Sequence, residues 1–235
     1  VAGKADALAE LANFAPLNAL KGTNFKPEDL IGQAKADINA RIGLISDQNP
    51  PKPVWSAKVQ LDKIDLVPEI ESFKIAGLSG TLDVDNQAAR LKAEGTIDEV
   101  PAEIALVEPV GSASPVKRER VIKAALNNAQ REKLVPGLSD LVDGQVVAEL
   151  TRLDEKRQAV NLDLTRAALT VPWIGWTKGS GIGAKAEFEV LAGEAKALTI
   201  NDLRLTGDGF GVREAIPLYR WHLVLGGAFV LLTPF

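Results

Sequence analysis

The chain has no cysteine and no methionine, and only one histidine (His222) and one tyrosine (Tyr219) in 235 residues. Without cysteine there is neither a disulfide nor a thiolate metal site, and the composition suits the cytoplasm and the periplasm equally. The lack of methionine even at position 1 reads as an internal fragment or a processed product. Aromatic residues make up 5%, so the apolar side chains are mainly Ala, Leu, Ile and Val, better matched to a smooth aliphatic surface than to a pocket for rings or bases. A net charge of -4 argues against a nucleic-acid partner. Long hydrophobic runs are missing too. The longest, Leu223 to Phe235, falls short of the ~20 residues with which a helix crosses a bilayer, and Val1–Leu20 lacks the cationic start and continuous apolar run of a signal peptide.

What is present is alternation. The chain is organised around Gln158 to Ser180, where Val160, Leu162 and Leu164 fall on one side and Asn161, Asp163 and Thr165 on the other, the pattern of a half-buried strand. At Arg166–Ala168 the phase slips by one and Leu169, Val171 and Trp173 continue the apolar series, which predicts a bulge or bend within a strand running from Gln158 to Val171 on a twisted, curving sheet. Pro172 ends it, and Lys178-Gly179-Ser180-Gly181 turns the chain.

The same grammar recurs. Ala5 to Leu20 has Leu8, Leu11 and Ala15 at helical spacing and a stop at Gly22, predicting a short amphipathic helix packed on the sheet or capping its end; its Asp6 and Glu10 do not offer the basic face of a membrane-surface helix. Pro27-Glu28-Asp29 opens the first strand, in which Ala34, Ala36, Ile38, Ala40, Ile42 and Leu44 face one way. Asn49 to Pro53 is a stiff turn. Trp55, Ala57, Val59 and Leu61 follow, with a phase slip near Asp62-Lys63 before Ile64 and Leu66. Phe73 to Val84 reads as a strand or hairpin bending at Gly77 and Gly80. Ala89 to Ile97, Ala102 to Leu106, Lys117 to Leu126, Gln145 to Leu150 and Ala184 to Val190 alternate in turn. Asp154-Glu155-Lys156-Arg157 is a charged turn between paired strands, and Leu198 to Leu205 carries a third slip. Asn127 to Val135 is a short internal helix closed by Pro136-Gly137. About ten adjacent strands with frequent turns describe a mainly β protein, a long antiparallel meander in a curved sheet with one apolar face and one or two short helices.

The runs PGLSDLVDGQVVAEL (Pro136–Leu150), LDLTRAALTVPWIGWTKGSG (Leu162–Gly181) and LTINDLRLTGDGFG (Leu198–Gly211), with EVPAEIALVEPVG (Glu99–Gly111), resemble the AsmA-like envelope proteins, most closely the YhdP/TamB-type branch of alphaproteobacteria. The order of these short motifs along Asn24 to Gly211 carries the resemblance. It implies a periplasmic segment of an inner-membrane-anchored parent, whose aliphatic groove holds phospholipid acyl chains during lipid transport between inner and outer membranes. It divides the chain into a helical lead-in (1–23), a β-sheet groove domain (24–211) and a tail (212–235) in which the alternation stops and the pattern departs from the family. That tail reads either as a shifted or truncated gene product or as a genuine hydrophobic terminus. The residues expected to line the groove are Ile38, Ile42, Leu44, Val59, Leu61, Leu91, Ile97, Val146, Leu162, Leu164, Phe188 and Val190. The competing expectation is a structural or assembly module for outer-membrane biogenesis, with the dry faces closed on each other as a sandwich.

Other candidates have plainer readings. Gly179 to Gly183 lacks the Lys-Ser ending of a phosphate loop and reads as a hairpin turn. Asp83-Val84-Asp85 and Asp62 with Asp65 lack a full calcium-ligand series. His222 has no nucleophile in a recognisable context, and no carboxylate pair sits where a cleft would form. Trp173 and Trp176 read as core anchors before a lipid entrance, and Lys117 to Arg120 as a wet strand face before a head-group contact. The expectation is a protein without catalytic residues, metal or cofactor.

Overall fold

The computed structural model describes residues 1–14, 20, 25–41, 54–70, 73–111, 114–134, 137–172, 175–192, 197–208, 210–213 and 222–224. The protein is mainly β, and the chain divides into two compact units, Val1–Arg120 and Val121–Phe235.

The first unit is an antiparallel meander. Its strands are β1 (Ala2–Lys4), β2 (Leu30–Arg41), β3 (Val54–Leu66), β4 (Ile75–Asp85), β5 (Ala88–Ile97) and β6 (Val100–Pro109), each bonded to the next in sequence. Alternation becomes rows that cross the strands. Ala34, Leu61, Gly80, Ala93 and Ile104 stand side by side, as do Ala36, Val59, Leu82, Leu91 and Leu106, and then Ile38, Ala57, Val84 and Ala89. The opposite face carries Asp37, Lys58, Asp83 and Arg90 as cross-strand neighbours of alternating sign, an arrangement that favours this register over one with like charges opposed.

Three irregularities fall in adjacent strands: the ladder shifts between Ile31 and Gln33, between Leu61 and Ile64, and between Ala76 and Ser79. At their centres Gly32, Lys63 and Gly77 have positive φ. The slip read at Asp62-Lys63 is thus a β-bulge. A Cβ on Gly32 would sit 2.5 Å from the Lys63 carbonyl oxygen, so one bulge is seated against the next. Gly80, read as a bend, lies instead inside β4, where a Cβ would meet the Lys92 carbonyl oxygen at 2.2 Å and the Ala93 Cα at 2.6 Å.

The helix expected over Ala5–Leu20 is α1 (Ala5–Asn13), after which Phe14 is extended. Ala5 and Leu8 pack on Ala34, Ile64, Leu78, Ala93 and Ile104, the unit's buried cluster. Pro27–Asp29 forms a 3-10 turn rather than the start of the strand.

The second unit has two sheets. β7 (Glu119–Leu126), entering from the first unit, pairs β9 (Val146–Arg152); β9 pairs β10 (Arg157–Asp163), β10 pairs β13 (Ala184–Ala192) and β13 pairs β14 (Ala197–Gly207). β15 (Phe210–Arg213) and β16 (His222–Val224) both pair with β14, so strand pairing extends past Gly211. The third slip is the irregularity opposite Glu187–Glu189, where Asp202 has positive φ. A smaller sheet contains β8 (Val142–Gly144), β11 (Ala167–Val171) and β12 (Trp176–Lys178), with β11 in the middle. The long strand predicted over Gln158–Val171 is therefore two strands in different sheets, broken at Leu164–Arg166. Gly179–Gly183, read as a hairpin turn, connects β12 of one sheet to β13 of the other.

The predicted internal helix is α2 (Asn128–Leu134). Its start is reciprocal: the Gln130 N–H donates to the Asn127 side-chain oxygen and the Asn127 N–H to the Gln130 side-chain oxygen, both at 2.9 Å. Two orphan amides at the helix end are satisfied together.

Candidate functional site

The expected groove residues fall into four groups. Ile38, Val59, Leu61, Leu91 and Ile97 share the apolar face of the first unit, and all are half-buried. Among the described residues of that unit, α1 is the one α-helix, and its packed residues gather over the rows near Ala34 and Ile64. In the next row Ala36 is buried and Val59, Leu91 and Leu106 pack against that cluster, while Leu82 and, farther along, Ile38, Ala57, Val84 and Ala89 remain partly open to solvent. Five strands at ~4.8 Å spacing make this face about 20 Å across. At its far end Trp55 is buried opposite Ala40, with its backbone N–H on the Asn86 side-chain oxygen at 2.8 Å. Glu108, beside Ala89, accepts a 2.5 Å hydrogen bond from Arg118, so part of the basic run Lys117–Arg120 is engaged in a local ion pair.

Val146, Leu162 and Leu164 are placed differently. Val146 is 2% exposed and Leu164 4%, and both belong to a cluster with Ala167, Leu169, Ala184 and Ala186, packed against Leu162, Val142 and Trp176. The smaller sheet covers these residues, so Val146 and Leu164 are core, not groove lining. Trp176 takes the anchoring role expected of it, and Trp173 lies outside the described residues. Phe188 and Val190 are half-buried; Phe188 stands beside Val160, and Val190 beside Ile200. Ile42 and Leu44 lie outside the described residues.

Among the described residues two cations are buried, Arg131 and Lys178, the latter read from the sequence only as the start of a turn, and both lie in the second unit. Lys178 is 3% exposed, and its ammonium donates to the carbonyls of Leu164 at 2.9 Å, Ala167 at 2.6 Å and Gly179 at 3.2 Å. Leu164 and Ala167 flank the break between β10 and β11. A strand that leaves its sheet strands its carbonyl groups, and this ammonium satisfies them. Burial pushes the Lys178 pKa below its ordinary value, with the Asp163 carboxylate working against that shift. Arg131 of α2, also 3% exposed, donates to the carbonyls of Leu126 at 3.2 Å, Val142 at 2.7 Å and Gly144, and to the Asn128 side-chain oxygen at 2.6 Å. Asn128 in turn accepts the Gly144 N–H and donates to Asp143. No local pattern marks these cations; the only signals were a lysine closing a short apolar strand and an arginine in a helix beside a glycine turn.

Two of the acidic candidates accept from backbone N–H groups, Asp85 within a turn and Asp65 across to the next strand. Asp85 accepts from the backbone N–H groups of Gln87 and Ala88 and from Arg90, and Asp65 accepts from the Gly77 N–H. Asp154 repeats the Asp85 arrangement in the second unit, accepting from the N–H groups of Lys156 and Arg157 and from the Arg157 side chain. The Arg157 hydrogen bond is the largest influence holding the Asp154 carboxyl down to about 2. Among the described residues no three His, Cys, Asp or Glu side chains gather as cation ligands, and no helix is long and apolar enough to cross a membrane. A shallow depression of about 530 Å3 is lined by Gly3, Gln33, Lys35, Gln60, Asp62 and Thr81. Compared with known proteins, the chain matches no family model, no curated protein and no solved structure.

Proposed function

We propose that the protein binds phospholipid acyl chains on the apolar face of its first unit. The observation that carries this reading is the partly open aliphatic surface running from Ile38 and Val59 through Leu82 and Leu91 to Leu106. Such a contiguous face is the kind of surface that marks a binding site on a soluble domain. Each methylene removed from water there contributes about 0.8 kcal/mol, so a chain is held without a directional polar contact while the head group stays in water. The resemblance to AsmA-like envelope proteins supports a periplasmic setting in an inner-membrane-anchored parent, and a role in moving lipid between inner and outer membranes.

The enclosed cluster around Val146, Leu164 and Leu169 favours a second reading for the other unit, a packed structural module serving envelope assembly. Native mass spectrometry of the gently purified chain, with lipid analysis of the same sample, tests the first reading. The expected result is stoichiometric phospholipid that is lost in Leu82→Asp while circular dichroism stays unchanged. A lipid-free chain that also ignores added phospholipid would overturn it and leave the structural module.

A further inference from the structure

The apolar row of the first unit that runs through Ile38, Ala57, Val84 and Ala89 ends on β6 in Glu108, the one charged residue in the three rows of that face. β6 presents Ala102, Ile104 and Leu106 to the same side, so a carboxylate stands where the alternation calls for another aliphatic side chain. A charge set against aliphatic surface needs a partner. Arg118 provides one, its Nε donating to Oε2 of Glu108 at 2.5 Å. That bond occupies only part of each group. The two terminal nitrogens of Arg118 and Oε1 of Glu108 have no hydrogen-bond partner among the described residues, and both side chains reach solvent. The other ion pair of this unit's strands, Arg90 with Asp85, lies on the opposite, wet face.

We propose that Glu108 and Arg118 form the head-group end of the acyl-chain site and select a phospholipid that carries both a phosphate and a primary ammonium, as phosphatidylethanolamine does. The inference rests on the acyl-chain reading and adds to it the class of lipid. The chains lie over Ala89, Val84 and Leu82, all partly open. The terminal N–H groups of Arg118 donate to the phosphate, and the lipid ammonium donates to Oε1 of Glu108, both charge-assisted bonds. A short ethanolamine link separates phosphate from ammonium, and their receivers are held side by side by the Arg118–Glu108 bond, which need not break. Guanidinium and carboxylate together are neutral, and so is this head group, each charge meeting its opposite. Phosphatidylglycerol brings a phosphate with no cation and leaves the carboxylate unanswered. Phosphatidylcholine brings a cation that has no N–H to donate. Selection comes from what the wrong head group leaves unpaired.

The test incubates the full chain with vesicles of phosphatidylethanolamine, phosphatidylglycerol and phosphatidylcholine in equal parts and with the same acyl chains, then identifies the bound lipid by native mass spectrometry. Phosphatidylethanolamine should be enriched at least about threefold over each of the others. Glu108→Gln, which leaves Arg118 as an unbalanced cation, should move the preference to phosphatidylglycerol. Arg118→Gln should abolish the enrichment while lipid is still bound. Arg90→Gln, which breaks the ion pair on the wet face, should leave the composition as it was. Bound lipid in the proportions supplied, or an enrichment that survives Glu108→Gln unchanged, would overturn this inference and leave the acyl-chain reading standing. A chain that takes up no lipid at all would overturn both.

Discussion

The two units solve the same problem in different ways. Each has an antiparallel sheet with one aliphatic face. The first lays a short helix over part of that face and has no buried charge among its described residues; the second folds β11 and its neighbours back over the sheet and buries Lys178 and Arg131. The difference teaches what covering a sheet with its own strands requires. A strand can cover its sheet only by leaving it, which interrupts the ladder and strands carbonyl groups inside the protein. A helix satisfies its own backbone, so α1 needs no such cation, but nine residues cover only part of the face.

The largest test of this contrast is Lys178→Met. It keeps the aliphatic stem and removes the ammonium from three carbonyls, of which that of Leu164 keeps the Ala167 N–H, and it should cost roughly 3 kcal/mol. Hydrogen exchange should show protection lost in β10, β11 and β13 while β3 to β5 keep theirs; uniform loss would mean that the cation supports more than its own unit. Next comes Gly80→Ala, about 3 kcal/mol from forcing a methyl into the β5 backbone, read as a lower denaturant midpoint with the damage confined to the first unit. Truncation sharpens the comparison further. Leu164→Ala should cost about 3 kcal/mol because it opens a cavity between two sheets. Leu91→Ala on the partly open face should cost about 1 kcal/mol; equal costs would indicate that the first face is as closed as the second.

The smallest effect concerns a device that the units share. Asp85 and Asp154 each hold a hairpin turn, and both carboxyls are lowered, chiefly by the Gln87 backbone N–H for Asp85 and by the Arg157 side chain for Asp154. A carboxyl lowered by folding stabilises the protein fully above its unfolded value of about 4. That contribution is lost as pH falls through the folded value, about 2 for Asp154. Asp154→Asn should therefore flatten the stability profile between about pH 4 and pH 2 without moving the plateau slope near neutrality. A profile identical to the parent's would show that the turn is held by its backbone alone.

Much of the fold was legible because alternation is a local property. The strands through Ala36, Val59 and Leu91, the turn at Asp154–Arg157 and the bulge at Asp62-Lys63 could all be read from neighbouring residues. The break at Leu164–Arg166 could not. A phase slip looks the same whether a strand bulges or leaves its sheet, and what decides is Lys178, a dozen residues downstream and close only after folding. Val146 and Leu164 were expected on an open face for the same reason. Periodicity tells which side of a strand is apolar, whereas exposure depends on what folds over it.

The bulges at Gly32, Lys63 and Gly77 bear on how the chain avoids mispairing. Strands whose inward residues are nearly interchangeable Ala, Val and Leu can slide by two positions and still keep the same side dry. Here each bulge is an extra residue that must meet an irregularity in the next strand, as Gly32 meets the Lys63 carbonyl. A slid strand leaves one positive-φ residue facing a regular ladder, so the error is penalised locally even where its buried surface is nearly unchanged. The interlocked bulges thus act as a registration mark, giving a repetitive sheet one alignment in which every strand agrees.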